Sequence, residues 1–363
     1  MAFESIWDAG GGNDRNWTTA ANWEGDALPQ TNATVFFYSS ISGSSAMVDL
    51  NGNQTVKALR FRDNASANVN TRSNTLTISS GGIGVGAGAS GDLAILSDLT
   101  ASTAQSWTND STKNFTIAGA ISGAGAVSKR GSGRIVLTSH DSTFSGTMTV
   151  DEGALQIRGT NALGTTGAGT TVADGATLEL HGGGDPVDFA TEPLTLYGPG
   201  VSGGGALRFV QNNVDYHGAI TLGSDARIQA ASNSPVASGA IAIGANTLTV
   251  GVQTEATELR LGGNLSGTRT TGSGALVKDG TSRLTLTGNN TGLTGTFTLS
   301  AGDLRIGSAN AMGLIGTLVF GNNTVMKSSS VADYTISRPL LFQGNVSFGE
   351  ITTRTGTLQF GGD

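Results

Sequence analysis

The chain has no cysteine among its 363 residues, which excludes disulfides and thiolate metal sites. Histidine occurs only at 140, 181 and 217, too sparse and scattered for a zinc site. No cofactor is expected. Charged residues make up just 13%, the formal net charge is −7, and no basic cluster interrupts the sequence. That balance argues against nucleic acid and against anionic membrane surfaces. No apolar run is long enough to span a bilayer, so no membrane insertion by this chain is expected. The opening MAFESIWDAGGGND lacks the basic-then-apolar layout of a signal peptide. An exported protein would have had its targeting segment removed, or replaced by Met1-Ala2. Proline is scarce as well, with 6 residues against 56 glycines.

Short alternating runs fill the rest: Leu76-Thr77-Ile78, Arg134 to Thr138, Thr177 to Leu180, Thr247 to Val250, and Leu284 to Thr287. Each puts an aliphatic face inward and a Thr or polar face outward, the period-2 pattern of a half-buried strand. Gly-Ser, Asn-Gly, Asp-Gly and Gly-Gly pairs between them supply tight turns. No stretch of a dozen residues has capped helical periodicity, so almost no helix is expected.

A long internal repeat organises these strands. Shifting the chain by about 149 residues lays Gly123 to Gly164 on Gly272 to Gly313 without a gap, with roughly 17 of 42 positions identical. Lys129 falls on Lys278, Arg134 on Arg283 and Leu137 on Leu286. Units of this kind bury their apolar faces against neighbouring units. The expected fold class is all-β, a parallel β-helix (β-solenoid) with an N-terminal aromatic cap; a sandwich array is the second choice. Asn-rich corners such as Asn212-Asn213, Asn289-Asn290 and Asn322-Asn323 suit stacked coils, since Asn can hydrogen-bond from coil to coil. The organisation read from the sequence is a Trp-rich capping segment (1–45), first solenoid coils (46–119), a long repeat (120–263) and an incomplete second copy (264–363).

The string AISGAGAVSKRGSGRIVLTSHDSTFSGTMTVDEGALQI at 120–157 and its partner GALVKDGTSRLTLTGNNTGLTGTFTLSAGDLRI at 274–306 resemble the autotransporter-associated β-strand repeat. The opening WDAGGGNDRNWTTAANWEGDALPQTNATVFF is similar to the module that often starts such regions. His140-Asp141 and Leu293 depart from the pattern at a turn and at an aromatic position. The resemblance implies a passenger-type β-helix at the bacterial cell surface or outside the cell. It carries no catalytic residues.

Residues for chemistry are few. Trp7, Trp17 and Trp23, with Phe36, Phe37 and Tyr38, form the one dense aromatic cluster. They read as a cap over the first coils or as a platform on which sugars stack. Leu137, Leu155 and Ile157, with Leu286, Leu304 and Ile306, are expected to point into the core at equivalent rungs. The carboxylate candidates are Asp151-Glu152, Asp185 with Asp188, and Glu255 with Glu258; none has the convergence that a glycosidase or lyase needs. The glycines at 82–88 lack the helix and Lys-Ser or Lys-Thr pair of a phosphate loop. Lys129, Arg130, Arg134, Lys278 and Arg283 read as outward, solvated positions. Asn-x-Ser/Thr triplets at Asn16, Asn64 and Asn114 follow from composition.

Not an enzyme, then, but one of two other classes. The first is a rod-like structural spacer or filament subunit. The second is an adhesin or carbohydrate-binding module. The second copy breaks off at Phe360 to Asp363 without a cap, so self-association, head-to-tail or by strand exchange, is expected; surface glycans are the other expected partner.

Overall fold

The computed structural model describes residues 3–38, 47–62, 65, 68–70, 74–182, 187–189, 191–211, 214–268, 275–329, 332–349 and 357–361. The Asn212-Asn213 corner, Asn64, Asp185 and Asp363 lie outside them. Contacts group the chain into two units, Met1–Thr171 and Val172–Asp363. In both, the chain is a parallel β-solenoid. The helical pieces among the described residues are two three-residue 3₁₀ turns, Ala20–Asn22 and Val201–Gly203.

Strands in the first unit pair in parallel with strands a coil away. Phe3–Trp7 pairs with Ala33–Phe37, which pairs with Gln54–Phe61 and then Thr75–Val85. Pairing fixes columns of stacked side chains. Val35, Leu59, Ile83 and Trp107 stand above one another, and each is at most 1% exposed. Burial alternates along the strands, as in Gln105–Asn109 and Met148–Val150, because successive residues point to opposite faces. Parallel pairing places like side chains directly over one another, so the inner columns are aliphatic and aromatic.

The second unit repeats this logic. Ile228, Val250, Lys278, Leu299, Phe320 and Phe342 form one continuous column. Hydroxyl pairs link neighbouring coils outside the core: Thr100 with Ser122 at 2.8 Å and Ser128 with Thr149 at 3.0 Å in the first unit, Thr254 with Thr281 at 3.1 Å in the second. Corner asparagines bond to the backbone of the adjoining coil rather than to each other. Asn264 Oδ1 accepts from Asn289 N at 2.9 Å, Asn290 Oδ1 from Leu265 N at 2.7 Å, and Asn322 Oδ1 from Asn345 N at 2.9 Å. Backbone groups at a corner leave the sheet ladder, and a side-chain amide replaces the missing partner.

One outer-face contact skips a coil. Arg227 reaches past Gly251 to make a bidentate pair with Asp279, both bonds at 2.7 Å. A Cβ on Gly251 would sit 2.2 Å from Arg227 Nη2, so glycine leaves the channel through which the guanidinium passes.

The six repeat-core positions are buried: Leu137, Leu155, Leu286 and Leu304 at 0%, Ile157 at 1% and Ile306 at 2%. Leu137 stacks on Ile157, and Leu286 on Ile306. Replacing Leu155 or Leu304 by Asp should lower stability by about 3–5 kcal/mol, because an unpaired charge would enter an apolar column. Denaturant melts check this, and unchanged midpoints would contradict the register.

Candidate functional site

The aromatic cluster at the start of the first unit is closed. Trp7, Trp17 and Trp23 are 4%, 1% and 1% exposed. Trp23 meets Trp7 edge-on at 5.0 Å and Trp17 at 4.8 Å, and Phe37 lies 6.2 Å from Trp7. Trp23 Nε1 donates to the Trp17 carbonyl at 2.7 Å. The rings pack over the inner column that begins with Phe37 and Phe61, whose centroids are 5.3 Å apart. None of the three indoles has a free face for a sugar to stack on. Tyr38, 45% exposed and stacked against Phe36 at 6.0 Å, is the outward ring of the group.

The carboxylates do not converge. Asp151 pairs with Arg130 at 3.3 Å, and Glu152 Oε2 accepts the Gly131 backbone N–H at 2.9 Å. Glu258 stands in register with Arg283, whereas Glu255 lines an open groove of about 590 Å³ with Arg208, Gln253, Thr254 and Thr281. Arg208 is turned to Glu179, 3.6 Å away. Among the described residues no group of three or more His, Asp or Glu could hold a metal.

The lysines overturn one expectation. Lys129 and Lys278 are not solvated; both are 0% exposed. Lys129 occupies the inner column between Trp107 and Val150, and Lys278 that between Val250 and Leu299. Each ammonium is held by carbonyls from two coils. Lys129 Nζ donates to Gly131 O at 2.5 Å, Gly133 O at 2.6 Å and Glu152 O at 2.7 Å. Lys278 Nζ donates to Asp279 O at 2.6 Å, Gly280 O at 2.7 Å and Ala301 O at 3.2 Å. Shifted by the repeat offset, Gly131 becomes Gly280 and Glu152 becomes Ala301, so the cage recurs.

Glycine makes room for it. Gly131 and Gly280 turn at φ of 77° and 76°, left-handed values that favour glycine, and so aim a carbonyl at the amine. A Cβ on Gly153 would lie 2.7 Å from Lys129 Nζ. The K-x-G and following x-G spacings are therefore parts of one cation cage. Arg130 is exposed, while Arg134 and Arg283 are partly so. Strand parity held the clue: Val127 and Leu276 face inward, so residues two further on do too.

Burial lowers the Lys129 ammonium from 10.5 to about 8, against the charges of Glu152 and Asp110, which favour it. Lys278 falls to about 8 for the same first reason; Asp279 and Asp303 resist the fall and Arg227 adds to it.

The passenger-associated-transport-repeat family model matches residues 127–157 and 276–306, each beginning at the strand that carries a caged lysine. Two copies of that repeat are built into this β-solenoid. It is similar to the adhesin BmaC autotransporter of Brucella suis biovar 1 (strain 1330), with 29% identity over 302 residues, covering 73% of this chain and 9% of that protein. The chain thus spans less than a tenth of that relative's length. No solved structure matches it. No described helix is long and apolar enough to cross a membrane, which says nothing of strands.

Replacing Lys129 by Met keeps the stem but leaves three carbonyls without their donor, and should cost about 2–5 kcal/mol at neutral pH. The folded pKa lies below the unfolded one, so between pH about 8 and 10.5 the unfolded chain binds more protons. Wild-type stability therefore gains from this group as pH rises through that window, and loses the gain as pH falls through about 8. Melts at about pH 7 and 9.5 should show the gap to Lys129→Met widening at the higher pH.

Proposed function

We propose that the chain is a segment of a surface-displayed adhesin passenger: a non-catalytic solenoid that binds through its outer faces. The observation that carries this is the division of labour among its residues. The indoles, the paired lysines, Asp151 and Glu152 are all committed to holding coil to coil. What remains for recognition is the set of outward strand positions, which stack in flat, regularly spaced columns. Repeats of this type and an adhesin relative support a cell-surface or extracellular location. The purified chain should bind host cells or extracellular matrix saturably as a monomer; inertness on both would favour the spacer.

The spacer or filament reading keeps one specific observation of its own. Leu341, Phe342, Phe348 and Phe360 are 50%, 49%, 42% and 39% exposed. Phe342 stacks on buried Phe320, Phe348 follows buried Met326 and Phe360 follows buried Ile336 in register, so these three are inner-column positions that another coil would cover, whereas Leu341 follows half-buried Val319 and faces outward. If a second copy supplies that coil, sedimentation will show concentration-dependent growth, and Phe342→Ser with Phe348→Ser will abolish it. A monomer at every concentration would remove the filament reading.

A further inference from the structure

In the second unit a pocket of about 240 Å³ lies between two neighbouring coils. One wall is the turn 309–314; the other is the strand Tyr334–Ile336, continued by Ser337 and Arg338. Ile306, Met312 and Ile336 give it an apolar floor, and Thr291, Asn310 and Arg338 add polar groups around them. We propose that this pocket takes one acidic sugar residue, a hexuronate at the end of a glycan, with its carboxylate on Arg338 and its hydroxyls on the neighbouring polar groups. The setting at a host surface rests on the adhesin reading; the site itself rests on the pocket.

Arg338 is a fixed cation without an acid. Its two terminal nitrogens donate to Ser337 O and Gly313 O, each at 3.2 Å, which ties the guanidinium to both walls and leaves three of its five N–H groups. It is partly exposed and joins no ion pair among the described residues. Asp333, the nearest acid in sequence, is taken up by Thr357, whose N–H and hydroxyl donate to it at 2.7 and 2.6 Å. A guanidinium held in place this way is a ready fork for a carboxylate. The other polar groups are also unused, and they are within reach of solvent. Thr291 and Asn310 are exposed, and neither side chain makes a hydrogen bond among the described residues. The strand adds its own backbone. It pairs on one edge only, with Leu358–Phe360: Tyr334 N–H donates to Thr357 O at 2.9 Å, and Ile336 O accepts Gly361 N–H at 3.2 Å. Alternate residues of a parallel strand bond to opposite sides, so the N–H and C=O of Thr335 lie on the pocket's side.

The fold does not require this set of groups. Arg338-Pro339-Leu340 has Glu192-Pro193-Leu194 as its counterpart in the first copy, with the charge reversed. Ser142, which the repeat offset places on Thr291, is committed to structure: its hydroxyl accepts the Ile121 N–H at 3.0 Å. Size and polarity then choose among carboxylates. The space equals about eight waters, enough for one pyranose ring and too little for a stretch of polymer or an acyl chain. A sugar ring presents a C–H face to Met312 and Ile336, and hydroxyls to Thr291, Asn310 and the Thr335 backbone. A peptide's terminal carboxylate would satisfy Arg338 and the strand edge but would leave Thr291 and Asn310 unused.

The test titrates the whole chain with methyl glucuronide, using methyl glucoside and glucuronamide as uncharged references, and reads binding by ligand-observed NMR. Wild type should bind the glucuronide, and the two uncharged sugars about tenfold or more weakly. Arg338→Gln should lose that preference, whereas Lys327→Gln, with the same charge removed from another strand, should keep it. Asn310→Ala should weaken the glucuronide several-fold. Its side chain makes no hydrogen bond that folding would lose, so it carries the test alone if Arg338→Gln fails to fold. No binding by wild type, equal affinity for glucuronide and glucoside, or unchanged binding in the variants would overturn the proposal. Tighter binding of a short peptide with a free terminal carboxylate would overturn it in favour of a peptide site. Glucuronide binding through Arg338 with no binding to cells would retain the pocket and reject the adhesin reading. Cell binding without glucuronide binding would do the reverse.

Discussion

Everything in this protein depends on one requirement: each coil must satisfy the backbone hydrogen bonds of the coil before it. Parallel strands bond only to strands a full coil away, so no strand is complete alone. Thr285, for instance, finds its register partners in Arg260, 25 residues earlier by position, and in Arg305, 20 later. That requirement sets the columns, and the columns set the chemistry. A residue is judged by what stands directly above and below it rather than by its sequence neighbours.

The caged lysines follow from the same requirement. At the corner after Val127–Arg130 the backbone leaves the ladder, and carbonyls of Gly131, Gly133 and Glu152 converge on a point inside the stack. Carbonyls without a donor would be costly there, and water has little access. A lysine in the inner column brings three N–H groups on a flexible stem and satisfies them together. Lys278 does this in the other unit with a different third carbonyl, so the solution tolerates changes in the corner. The Glu152 carboxylate adds a clasp to Gly131 that Ala301 cannot provide, which makes the first cage the more strongly tied.

Function is pushed outward by this arrangement. Inner columns are occupied by packing, and the corners are occupied by hydrogen bonds. Outer columns are free to vary, as the change from Thr116-Val136-Gln156 to Arg260-Thr285-Arg305-Lys327 shows. A solenoid can thus alter its outer columns without altering how it stacks.

The sequence alone determined the strand period, the repeat, the near absence of helix and the inward set Leu137, Leu155, Ile157, Leu286, Leu304 and Ile306, because alternation and self-similarity are local signals. It also singled out Trp7, Trp17 and Trp23 but left their role open, since an indole suits a core and a sugar equally well. Only the tertiary structure decided that these rings are enclosed, that Lys129 and Lys278 face inward, and that Arg260, Arg305 and Lys327 share a line. The basic column was invisible in the chain because its members are separated by 45 and 22 positions, and coil length varies too much for spacing to reveal register. The lysines misled for a related reason. Charge argues for solvent unless a cage of carbonyls is known to wait inside, and one carbonyl of each cage comes from the next coil.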